Sequence, residues 1–172
     1  IYIRPTAPNI FEDLTNEYAF GAVAERELPC AKKFKSKIRK YSKAAFENLT
    51  DVDWKWNALG AEFYNMGMMV INCQKFLPYL KGQTAEQFIR RPEFKDFVDG
   101  IGYRKWSTDQ MLLNYWVKKE KIPTLNMDWR WNGLFKGIDD AQIPKAYFIH
   151  FFLKDLLPQK GENVADLMRV IN

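Results

Sequence analysis

The apolar residues of this chain come in short runs separated by charged, helix-like stretches, and that spacing limits the fold more than any other feature. Tyr18–Ala24, Met68–Asn72 and Tyr147–Phe152 are each too short to make a helix worth burying and suit buried strands. The longest apolar run, Ala146 to Leu153, is interrupted by His150. No run approaches the ~18 residues that a membrane span requires. Ile1-Tyr2-Ile3 reads as the end of a strand stopped by Arg4-Pro5, and residues 122–125 read as a short strand.

Between these runs lie helix-like pieces at Asn9–Leu14, Cys73–Leu80, Thr84–Arg91, Glu93–Val98, Thr108–Lys119 and Val164–Ile171. In the clearest of them, Ser107 or Thr108 is the expected N-cap, with Asp109 near the positive end of the helix dipole. Strands alternating with helices predict an α/β layer fold with a largely parallel sheet. With no low-complexity stretch, flexible linker or repeat, residues 1–172 read as one domain. Apolar residues make up 47% and charged residues 27%, which excludes a disordered chain.

Chemistry-bearing residues are few. His150 is the only histidine, and Cys30 and Cys73 are the only cysteines, so neither a disulfide framework nor a C-x-x-C zinc site is available. No G-x-G-x-x-G or Walker loop occurs, which argues against dehydrogenase and P-loop chemistry. Asp51-Val52-Asp53 is a literal D-x-D, but it follows a helix end rather than a buried strand, so it is expected to be a decoy for metal binding. Two W-x-W pairs, Trp54/Trp56 and Trp129/Trp131, would each place two rings on one face if extended. Such rings suit a sugar's C–H face or a core equally.

The formal net charge is +5. Lys32, Lys33, Lys35, Lys37, Arg39, Lys40 and Lys43 crowd one predicted amphipathic helix, so its outer face is cationic. That face is read either as a solvated surface or as a contact for an anionic surface. Acidic residues are mixed through the rest of the chain, so nucleic acid is not the expected partner.

Several segments, taken in order, resemble the C-terminal half of the GT-A-fold glycosyltransferases, closest to the family 8-like group that uses nucleotide sugars. Phe63–Asn72 (FYNMGMMVIN) looks like that family's F-N-x-G-V-M-L-x-N segment, and Thr108–Asn114 (TDQMLLN) looks like its D-Q-x-x-L-N helix start. Ala22-Val23-Ala24-Glu25 is similar to an A-A-V-x-[DE] strand end, Trp131-Asn132 to a W-N, and Ala146–Phe151 to a closing I-I-H-F strand.

The resemblance implies a GT-A-like, mostly parallel sheet flanked by helices and a metal-dependent enzyme. That enzyme would move a hexose from a UDP-sugar, of UDP-glucose or UDP-galactose type, to a glycan or glycoprotein acceptor, with retention. By this resemblance His150 is a ligand to Mn²⁺ (or Mg²⁺), and Asp109 and Gln110 act on the transferred sugar. Glu25, Asn65, Gly67, Trp131, Asn132 and Lys154 line the donor and acceptor sugars. The metal-binding D-x-D and part of the nucleotide-binding half are expected before Ile1. Lys154 departs from the family's H-x-x-G-x-x-K-P-W: the Gly is missing and the Lys comes two residues early. Met111 stands where a second acid is common.

The alternative reading is a non-catalytic glycan- or polyanion-binding module. Two unpaired cysteines suit a reducing, cytoplasmic compartment, with attachment to a membrane surface through Lys32–Lys43; the sequon Asn48-Leu49-Thr50 leaves a Golgi-type lumen open.

Overall fold

The computed structural model describes residues 1–100, 108–134, 138, 139 and 141–151. Lys154 and the segment Val164–Ile171, read from the sequence as a closing helix, lie outside the described residues, as does Ser107. The architecture is mixed α/β: two small mixed sheets flanked by helices. In the first sheet β2 (Phe20–Ala24) lies between β3 (Tyr64–Ile71) and β4 (Thr124–Asn126). The second places β6 (Phe148–His150) between β1 (Tyr2–Ile3) and β5 (Gly133–Leu134).

The largely parallel sheet expected from the sequence is not what forms. Each sheet holds one parallel and one antiparallel pair: β2 runs antiparallel to β3 and parallel to β4, and β6 runs antiparallel to β1 and parallel to β5. The β2–β3 connection folds its helix beside the sheet and then returns the chain antiparallel, a choice that strand–helix alternation does not encode.

Strand β2 is buried at all five positions, as a central strand covered on both faces must be. Strand β3 begins four residues before the Met68–Asn72 run that hydropathy marks, because Asn65 and Gly67 break the apolar pattern. Its pairing with β2 contains a break in register. Ala22 faces Met69 while Val23 faces Asn65, so Met66, Gly67 and Met68 bulge out between them.

Helix α1 is Ile10–Asp13, capped by the Asn9 side chain, which accepts from the Phe11 N–H at 3.1 Å. Helix α2, Lys35–Phe46, buries Ile38, Ser42, Ala45 and Phe46 and turns its cations outward. Its Ser42 hydroxyl donates to the Arg39 carbonyl (3.1 Å) and accepts from the Ala61 N–H (3.2 Å). Gly60 sits over that hydroxyl at φ +106°, where a Cβ would overlap the oxygen. Helices α3 (Cys73–Phe76), α4 (Ala85–Ile89) and α5 (Lys95–Val98) are short. Thr84 caps α4 with a complete capping box to Gln87, so the Thr84–Arg91 reading holds.

Helix α6, Thr108–Lys119, supplies Met111, Leu112, Tyr115, Trp116 and Val117 to the main core. There Phe46 stacks on Trp54 with ring centroids 4.2 Å apart, and Phe76 and Phe88 both meet Trp116 edge-on. A ring pair of this kind adds about 1 kcal/mol beyond its buried area.

Neither W-x-W pair behaves as an extended two-ring platform. Trp54 is buried and donates to the Leu49 carbonyl (2.9 Å), while Lys55 at φ 44° turns Trp56 outward, 45% exposed. Trp129–Asn132 forms a turn of 3₁₀-helix started by Asp128. Trp131, expected to line a sugar, is instead 1% exposed: its ring packs on Tyr147 and Phe148 and its indole N–H donates to Asp13 at 2.6 Å. The ring belongs to a second cluster, with Val23, Leu28, Met68, Val70 and Met127, that joins the two sheets.

Asn114 is fully buried in α6 and its amide replaces a strand partner for Tyr64. It accepts from the Tyr64 N–H (2.6 Å) and donates to the Tyr64 carbonyl (2.8 Å) and the Gln110 carbonyl (2.8 Å). Cutting this side chain back orphans two buried backbone groups. Asn114→Ala is therefore expected to lower the unfolding free energy by about 2–4 kcal/mol, read by urea denaturation. A loss of a few tenths would show that the pairing of β3 to α6 does not depend on this amide.

Candidate functional site

Five of the residues singled out in the sequence come together where β2 ends, β3 bulges, β5 begins and β6 ends. Asn65 Nδ2 donates to Glu25 Oε2 at 3.0 Å, and Asn132 Nδ2 donates to Asn65 Oδ1 at 2.8 Å. Asn132 Oδ1 lies 3.0 Å from His150 Nδ1. The fifth is Gly67, whose N–H also donates to Asn65 Oδ1, at 3.0 Å. In open α/β sheets such strand ends are where ligands bind.

Each member is held from behind. Glu25 follows β2 directly, and its N–H donates to the Phe63 carbonyl at 2.8 Å. Asn132 is fully buried and ends the Trp129–Asn132 turn that Asp128 starts. Gly67 lies under the imidazole, where a Cβ would overlap the ring's Cε1 and Nδ1. Only glycine lets β3 approach the ring so closely.

The hydrogen bonds run in one direction. The Gly67 N–H can only donate, so the Asn65 oxygen must be the acceptor and its NH₂ must face Glu25. The Asn132 NH₂ then faces Asn65, which turns the Asn132 oxygen toward the imidazole. Nδ1 of His150 therefore carries the proton, and the ring's lone pair is on Nε2.

Burial sets the two ends against their charged forms. It pushes the Glu25 carboxyl above its usual value, the Asn65 hydrogen bond opposing only in part. It lowers the His150 pKa, which favours the neutral imidazole. Burial, with the Glu25 charge adding to it, raises the Cys30 thiol to about 11, so Cys30 is a core group and not a nucleophile.

The other candidates are placed differently. Gln110 is adjacent: its Oε1 accepts from the Met66 N–H (3.2 Å) and its Nε2 donates to the Tyr41 hydroxyl (3.3 Å). It thus ties α6 and α2 to the bulge. Asp109, one residue earlier, is exposed and makes no hydrogen bond or ion pair among the described residues. Trp131 contributes packing alone, and Lys154 lies outside the described residues.

Asp51 and Asp53 engage neighbouring side chains and backbone. Asp51 Oδ2 takes the Tyr115 hydroxyl (2.8 Å) and the Lys119 ammonium (3.0 Å), and Asp53 accepts from the Lys55 N–H in a tight turn. Sequence reading missed the buried ion cluster beside the core. There Glu62 meets Arg26, Lys118 and Lys55, and Lys118 also lies over the Tyr64 ring. Burial raises the Glu62 carboxyl, but these cations outweigh it and hold the group below its usual value.

As a metal site the described residues are incomplete. No group of three His, Cys, Asp or Glu side chains stands close enough among them to hold an ion. His150 fits as one neutral donor, oriented through Asn132 as ligating imidazoles usually are. Comparison of the chain with protein-family models, with curated proteins and with solved structures finds no match.

Two outcomes follow from this geometry. Gly67→Ala should displace the imidazole or Asn65, at a cost of about 1–3 kcal/mol in stability, with a shifted His150 Cε1–H resonance. An unmoved resonance would show that the ring does not rest on Gly67. For Glu25, a folded pKa above the unfolded value means the native state binds more protons, so stability falls as pH rises through the folded value. Glu25→Gln removes that loss. The variant should gain stability over the parent at pH 7 relative to pH 4 in thermal melts, and an equal difference at both would contradict the buried carboxylate.

Proposed function

We propose that this chain is a GT-A-like, metal-dependent glycosyltransferase, one that moves a hexose from a UDP-sugar to a glycan or glycoprotein. One observation carries the reading. Glu25, Asn65, Gly67, Asn132 and His150, drawn from four separate segments by resemblance alone, are joined in one hydrogen-bonded chain at the strand ends.

The residues divide the work. Glu25 offers a carboxylate edge for sugar hydroxyls, and its raised pKa also lets it donate when protonated. Asn65 and Asn132 are positioning residues that transmit the orientation of one end to the other. Asp109, exposed at the first turn of α6, is the carboxylate nearest in sequence to the bulge contact of Gln110 and the candidate for meeting the transferred sugar's positive charge. His150 would bind Mn²⁺ (or Mg²⁺) through Nε2, with its remaining ligands drawn from outside the described residues. When bound, such an ion neutralises the diphosphate leaving group.

The reading is tested on the full-length protein by titrating UDP-glucose and UDP-galactose calorimetrically with Mn²⁺ and with EDTA. Mn²⁺ should tighten binding of one of them and support its slow hydrolysis. His150→Ala should abolish the Mn²⁺ effect, and Asn132→Ala should weaken the apparent Mn²⁺ affinity by about 10–100-fold. Affinity for both nucleotides that is indifferent to Mn²⁺ would overturn the enzyme and leave a non-catalytic glycan-binding module.

A further inference from the structure

The outer face of α2 and the turn before it carry charge that the fold leaves largely unpaired among the described residues. Lys32, Lys33, Lys35, Lys37, Arg39, Lys40 and Lys43 are all exposed, and the sequence has no Asp or Glu between Ala31 and Phe46. Of the seven, only Lys43 has an ion-pair partner among the described residues, Glu47 at 3.5 Å. Lys35, Arg39 and Lys43 follow one another at i, i+4 and i+8, with Ser36 and Lys40 on the adjoining row. Lys33, Lys35, Ser36, Arg39, Lys40 and Lys43 line an open concavity of about 650 Å³.

This arrangement is costly for the isolated protein. Like charges four apart repel along the helix. The first turn of α2 holds Lys35 and Lys37 with no acidic residue and no side-chain cap, so cations sit against the positive end of the dipole. An anion on this face relieves both terms.

The chemistry of the face narrows the anion. The nearest ring, Phe34, is half-buried and has the Lys33 and Lys37 ammonium groups over it at 5.8 and 5.4 Å, so no open aromatic surface is offered for stacking a base or a sugar. The buried residues of α2, Ile38, Ala45 and Phe46, are spent on the core, so the face lacks the apolar centre of a protein interface. What is left is a row of exposed cations that read phosphate density.

We propose that the α2 face docks the protein on a bilayer surface rich in anionic phospholipid, with headgroup phosphates seated between Lys35, Arg39, Lys40 and Lys43. Attachment is electrostatic, with no inserted apolar side chain, and it weakens as salt rises. It does not depend on the glycosyltransferase reading, because none of these side chains belongs to the Glu25–His150 chain.

The test is co-sedimentation of the full-length protein with vesicles of phosphatidylcholine alone and of phosphatidylcholine mixed with phosphatidylglycerol. Binding is expected only to the mixed vesicles and should fall steeply with added salt. Lys35→Gln/Arg39→Gln/Lys40→Gln should weaken it by roughly a hundredfold with unchanged thermal unfolding, since all three side chains are exposed. A control of equal charge, Lys75→Gln/Lys121→Gln/Lys145→Gln, should retain most of the binding. Equal binding to both vesicle types overturns the proposal, as does equal loss in the two variants, which would reduce it to net charge. Displacement from the vesicles by a short DNA duplex that binds the protein more tightly would assign the face to nucleic acid instead.

Discussion

A single carbonyl oxygen, Asn65 Oδ1, holds the centre of this structure. It accepts from the Gly67 N–H within its own strand and from the Asn132 amide across the junction of the two sheets. The first bond closes the bulge that breaks the β2–β3 register, and the second fixes where β5 begins. Because one donor is a backbone N–H, whose direction cannot be reversed, the orientation of Asn65 propagates outward to Glu25 on one side and through Asn132 to His150 on the other. A regular ladder in place of the bulge would draw Gly67 into register with β2 and away from the ring it now lies against.

The contrast between two half-buried carboxylates, Glu62 and Glu25, shows what that chain costs. Glu62 lies among Arg26, Lys118 and Lys55, and their charge more than offsets its desolvation. Glu25 is bonded to a neutral amide, and its carboxyl is pushed up instead. A structural carboxylate is normally placed as Glu62 is. One kept on a neutral amide at a strand end, three hydrogen bonds from an imidazole that also resists its charge, marks a place where the fold accepts an electrostatic penalty. A cation or a hydroxyl donor placed beside Glu25 would lower that penalty.

Much of this was legible in the residues because it is local. The extent of Thr108–Lys119 follows from apolar spacing, and the helices after β3 follow from their caps and prolines. The Glu25, Asn65, Gly67, Asn132 and His150 set came through motif order. What escaped is non-local. Strand direction depends on how the 39-odd residues between β2 and β3 fold back, which no periodicity records. Trp131 was misread because a ring's destination depends on backbone shape: two residues apart share a face only in an extended segment, and Asp128 winds this one into a 3₁₀ turn.

The position of α2 connects these points. Its inner side reaches the bulge through Tyr41 and Gln110 and supports the Gly60–Ala61 backbone through the Ser42 hydroxyl, so the helix cannot move without disturbing β3. Its outer side is bare of acids. A helix whose charge were merely a solubility device would be expected to intersperse both signs, as α4 and α5 do with their Glu86–Arg90 and Lys95–Asp99 pairs. Holding five cations on the one helix that also braces the strand-end cluster, with Lys32 and Lys33 just before it, gives any surface bound there a fixed geometry relative to Glu25 and His150. Electrostatic attachment through α2 therefore orients the site as well as concentrating it, and that orientation is rigid because the same helix turns Ser42 and Phe46 into the core.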